Sequence, residues 1–92
     1  MSEQEDVKSP KIEFPCPDYA IKVIGDTVVN FRDTVIEILK KHAQVDMKSL
    51  AERQSSNGKY TTVQLHIVAT SEDQLRDINS ALRATGIVHM VL

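Results

Sequence analysis

The sequence predicts an α+β fold: a four-stranded antiparallel sheet with two helices on one face. Three observations predict it. Segments with the two-residue alternation of strands interleave with two stripes at amphipathic-helix spacing. Their order is strand, helix, strand, strand, helix, strand. An Asn-Gly pair, the strongest short-range hairpin signal, separates the second and third strands.

The elements follow in order. Residues 1–13 are polar and charged without periodicity, which predicts a disordered acidic tail; residues 14–92 form a single domain. Phe14-Pro15-Cys16-Pro17 cannot be helical and favours an extended entry. Tyr19 to Ile24 is the first strand, with Tyr19, Ile21 and Val23 on one face and Ala20, Lys22 and Ile24 on the other. A helix starts between Thr27 and Asn30 and runs to about Ala43, its apolar stripe made by Phe31, Val35, Ile38, Leu39 and His42. Met47 to Gln54 is a polar, edge-like strand whose Lys48, Glu52 and Arg53 discourage pairing with other chains. After the turn Ser55-Ser56-Asn57-Gly58, Tyr60 to Ala69 alternates cleanly, with Thr61, Val63, Leu65 and Ile67 facing the helices. Ser71 to Gln74 spells a capping box, with Gln74 reaching back. Leu75, Ile78 and Leu82 form the apolar face of the second helix, Gly86 stands where a left-handed terminator belongs, and Ile87 to Leu92 is the last strand. Two right-handed crossovers joined by the hairpin give the ferredoxin-like β-α-β-β-α-β arrangement with strand order 4-1-3-2.

Composition narrows function. The net charge of −2 resides in the tail, where Glu3, Glu5, Asp6 and Glu13 outnumber Lys8 and Lys11. The remainder holds nine acids and nine bases, so no basic excess draws it to nucleic acid. One cysteine, Cys16, excludes an intramolecular disulfide and a thiolate metal cluster, and lies in no context that would activate a thiol. No basic-then-apolar leader opens the chain, and no run approaches the ~18 apolar residues of a membrane span. The expected setting is cytoplasmic, without membrane or nucleic-acid partners.

No catalytic constellation emerges, and no cofactor or metal site is expected. His66 and His89 belong on the open sheet face, but the first strand and the Lys22 charge separate them, and His42 lies on a helix. The loop Gly25 to Arg32 faintly echoes the phosphate loop of acylphosphatases, which share this fold. It lacks the further glycines that converge backbone N–H groups on an anion, and Asn57 lies in a turn instead of on a strand. An RNA-binding sheet is the other alternative, but Tyr60 is the only aromatic on the open face.

The segments Phe14-Pro15-Cys16-Pro17, Ile21-Lys22-Val23-Ile24-Gly25, Ser55-Ser56-Asn57-Gly58-Lys59-Tyr60 and Ile87-Val88-His89-Met90-Val91-Leu92 resemble the YbeD-like family of small bacterial proteins. The resemblance covers residues 14–92 and implies a ferredoxin-like fold close to ACT-type regulatory domains, with no catalytic residues to carry over. ACT-type domains often place an Asp-x-Pro-Gly-like turn after the first strand; here Gly25-Asp26-Thr27 has no proline.

The expected function is therefore a non-enzymatic binding or regulatory module, a homodimer or a partner of another protein or small metabolite. Its expected interaction surface is the open sheet face, through Ala20, Lys22, Ile24, Gln64, His66, Ile87, His89 and Val91.

Overall fold

The computed structural model describes residues 14–92; the expected tail, residues 1–13, lies outside them. The elements are β1 (Cys16–Asp26), α1 (Phe31–His42), β2 (Val45–Gln54), β3 (Tyr60–Ala69), α2 (Glu72–Arg83) and β4 (Val88–Val91). The sheet order β2-β3-β1-β4 is the expected 4-1-3-2 read from the other edge, with every pairing antiparallel.

One face of the sheet and both helices enclose the core. Ile21 and Val23 of β1, Val63, Leu65 and Ile67 of β3, and Val88 of β4 meet Phe31, Val35, Leu39, Ile78 and Leu82 of the helices. The expected β3 face holds, including Thr61, whose buried hydroxyl shares a 2.8 Å hydrogen bond with that of Thr27. On α1 the buried stripe is Phe31, Val35, Ile36 and Leu39; Ile36 joins it and His42 is exposed. At about 100° per residue His42 still falls within the stripe, but it is the last residue of the helix and stands exposed at its end.

Three strands depart from the expected boundaries, each at a bulge. β1 begins at Cys16, with an irregularity between Cys16 and Tyr19 around Pro17, which cannot donate to a ladder. β2 begins at Val45 and breaks register between Asp46 and Ala51. There the Asp46 carboxylate accepts from the Lys48 N–H (3.0 Å), and Ser49 Oγ accepts from the His66 N–H (2.8 Å), replacing lost ladder bonds. β4 carries the third, between its pairings Gly25 to Val88 and Ile24 to Met90.

The second helix is fixed by its cap. Ser71 Oγ accepts from the Gln74 N–H at 3.1 Å. The Gln74 side chain reaches one residue further back than a standard capping box, accepting from the Thr70 N–H at 2.8 Å and donating to the His42 carbonyl of α1 at 2.8 Å. Ser71→Ala is expected to cost about 1 kcal/mol, read as a melting-temperature drop of about 4–8 °C; an unchanged melt would show that the cap contributes nothing. After α2, Gly86 takes φ +80° and turns the chain into β4. No helix among the described residues is long and apolar enough to cross a membrane.

Candidate functional site

Cross-strand partners point to the same side of a sheet, so the register maps the face away from the helices. Lys22 stands opposite Gln64, which stands beside Ala51; Ile24 stands opposite Thr62, which stands beside Arg53. Ala20 lies opposite His66, and His66 beside Asp46. Of the expected surface, Ala20, Lys22, Ile24, Gln64, His66 and His89 lie on this face.

Ile87 and Val91 do not. Val91 pairs with fully buried Val23, and both Ile87 and Val91 pack against the core cluster. Ile87 lies before β4, and for Val91 the physical reason is the β4 bulge. Simple alternation from Ile87 puts 87, 89 and 91 on one face; the extra residue at the bulge turns both His89 and Met90 to the open side and returns Val91 to the core. Met90, opposite Ile24 and 46% exposed, occupies the place expected of Val91. Leu92 exchanges backbone hydrogen bonds with Lys22 (2.8 and 3.1 Å) and is 60% exposed. No local sequence signal announces the bulge.

At one end of the face, three strands meet in a polar cluster. Asp26 of β1 is the register partner of Tyr60 on β3. Its carboxylate lies 2.7 Å from His89 Nε2, an ion pair when the imidazole is protonated. The Tyr60 ring stands edge-on to His89, centroids 5.6 Å apart, and Lys59 Nζ lies 5.7 Å from the Tyr60 centroid. All four side chains are at least partly exposed, so each contact contributes well under ~1 kcal/mol.

His66 and His89 are further apart than the strand order alone implies. His66 pairs with Ala20, whereas His89 sits against Asp26, six residues along β1, or about 20 Å. No group of three or more His, Cys, Asp or Glu side chains gathers among the described residues.

Three amides of the Gly25 to Arg32 loop are directed to backbone carbonyls. The Asp26 N–H donates to the Ile87 carbonyl (2.9 Å), that of Thr27 to Lys59 (3.2 Å) and that of Phe31 to Val28 (3.1 Å). Gly25 is buried under Phe31, and Arg32 turns to Glu52 on β2 (3.4 Å) and to Asp33 (3.6 Å). Val28 and Val29 stand exposed at the loop's tip.

In the middle of the face is a shallow groove of about 530 Å³, between Lys22 and Leu92 on one side and Ala51, Glu52 and Arg53 on the other, floored by Ile24, Thr62 and Gln64. Arg53, Thr62, Met90 and Leu92 were not among the expected interaction residues. Arg53 and Thr62 were legible in principle from the alternation; Met90 and Leu92 required the bulge.

Residues 9–92 match the family described as "Protein of unknown function (DUF493)". The chain belongs to that family. A UPF0250 protein of Pseudomonas entomophila is 83% identical over 89 residues, covering 97% of this chain and 98% of the relative. One from Pseudomonas syringae pv. tomato is 80% identical over 87 residues, covering 95% and 96%. The expected kinship with small bacterial proteins thus holds. Among solved structures, the ACT domain of a GTP pyrophosphokinase from Chlorobium tepidum superposes with TM-score 0.64 at 17% identity, over 82% of this chain and 96% of that one. Protein HP0495 of H. pylori superposes with TM-score 0.65 at 19% identity, over 96% and 92%. The family member described here therefore has an ACT-like, ferredoxin-like fold.

Proposed function

We propose that the chain is a non-enzymatic, cytoplasmic binding or regulatory module whose contact surface is the open face of its sheet. One observation carries this reading. Both helices cover one face, while the other keeps Ile24, Met90, Leu92 and Tyr60 accessible among polar groups. A partly apolar sheet face on so small a domain favours a partner. The ACT-like fold and the amides of Asp26, Thr27 and Phe31, directed to protein carbonyls, support a binding role over a phosphate-handling one.

The two edges of the sheet differ. β2 is protected by its bulge and by Lys48, Glu52 and Arg53. β4 is short and presents Met90 and Leu92. Copies of the chain are therefore expected to pair along β4, leaving the groove between β1, β3 and β2 for a further protein or a small metabolite. Sedimentation equilibrium is expected to give twice the 10.3 kDa chain mass for the wild type and a monomer for Met90→Asp. A wild type that stays monomeric at high concentration removes the pairing. If cells carrying Ile24→Asp and Met90→Asp also grow as the wild type, the reading of the face falls with it.

A further inference from the structure

We infer that the groove on the open face is a binding site for a small organic carboxylate: an anionic head held between Lys22 and Arg53, and an apolar skeleton laid on Ile24 and Leu92. The inference rests on the proposed role of this face and adds the chemical class of its occupant.

The charges of the groove carry it. Lys22 and Arg53 stand at diagonal corners, on β1 and β2, with β3 between them. Strands are about 4.8 Å apart, so the two backbones are separated by about 10 Å, a span that two long cationic side chains can close around one anion. Neither cation is paired with an acid among the described residues. The nearby carboxylates are engaged elsewhere. Glu52 is held by Arg32, Asp26 faces His89, and Asp46 accepts from the backbone of its own bulge. The side chains of residues 14–92 sum to neutral, and in the middle of this face Lys22 and Arg53 are two cations that no acidic side chain among the described residues pairs with. An anion supplies what the described residues do not.

The rest of the lining sets the class. Thr62 and Gln64 on the floor offer hydroxyl and amide groups to orient a carboxylate. Ile24 is half-buried in the floor and Leu92 is exposed along the wall. The groove's 530 Å³ lies within the range of small-molecule sites, about 300–1,000 Å³. The same charges disfavour a second copy in this position. A two-fold axis through the centre of the face sets Lys22 and Arg53 against their own images, and like charges brought together oppose association. Self-pairing along β4 leaves the groove free.

The test is a ¹H–¹⁵N chemical-shift titration of the full chain with 4-methylpentanoate, with its neutral amide 4-methylpentanamide and with inorganic phosphate. The carboxylate is expected to move the amides of Lys22, Ile24, Arg53, Thr62 and Gln64, with a dissociation constant in the millimolar range for so small and open a site. The amide and phosphate are expected to move them far less. Lys22→Gln with Arg53→Gln is expected to weaken carboxylate binding about tenfold, while Arg76→Gln, on α2, leaves it unchanged. Shifts confined to other surfaces, equal effects from the neutral amide or from phosphate, or a double variant that binds as the wild type would each overturn the inference. If no carboxylate binds but Ile24→Asp still strips partners from the purified protein, the occupant is wrong and the proposed role of the face stands.

Discussion

Phe31→Ala is expected to remove about 3–5 kcal/mol of stability, the usual range for deleting a fully buried aromatic ring. Phe31 is 1% exposed and opens α1 directly over the sheet. It sits among Val35, Leu39 and the strand residues of the core. A domain of this size is worth about 5–14 kcal/mol in total, so the variant loses about a fifth of its margin or more. Urea unfolding at 25 °C reads the loss from the midpoint at constant slope. A loss below about 1.5 kcal/mol would mean that the ring is not the keystone between α1 and the sheet.

Gly25→Ala is expected to cost about 2–3 kcal/mol through overpacking. A Cβ at this position would lie 2.3 Å from the Ile87 carbonyl oxygen and 2.5 Å from Phe31 Cε1. The ring can yield, but the carbonyl is backbone and already accepts from the Asp26 N–H. Relief requires moving the chain just before β4, which also shifts His89 away from Asp26. The expected melting-temperature drop is about 10–20 °C, accompanied by amide shift changes at Asp26, Ile87 and His89. A stable variant with those amides unmoved would contradict the close approach of β1 to the start of β4. The two positions touch, so their effects are not additive: Phe31→Leu in the Gly25→Ala background recovers part of the loss and leaves the part due to the carbonyl.

The fold was legible because its signals are local. The alternation of β3, the Ser71 cap and Gly86 each operate within a few residues, and order alone then limits the topology. The face of β4 was not legible. Its two-residue period is interrupted by one extra residue at His89–Met90, and that bulge arises from how β4 meets Gly25 on another strand. A one-residue slip exchanges faces, which is why Val91 was expected outside and Met90 was overlooked. The same limit applies to β2, whose break between Asp46 and Ala51 is stabilised by Ser49 accepting from a residue on β3. The groove depends on both irregular edges. Its central members, Lys22, Ile24 and Gln64, come from β3 and from the part of β1 past its bulge and were expected; Met90 beside it belongs to the strand that slips, and Leu92 in its wall follows that strand.

The most direct test of the open face as the working surface is native affinity purification of the full chain, with mass spectrometry of the proteins and metabolites that come with it. Wild type is compared with Ile24→Asp, at the centre of the face, and with Asp77→Lys, exposed on α2. Circular dichroism and a thermal melt confirm that both variants are folded. Loss of specific companions from Ile24→Asp, with the full set retained by Asp77→Lys, is the expected result. An Ile24→Asp variant that keeps every companion of the wild type would contradict the account.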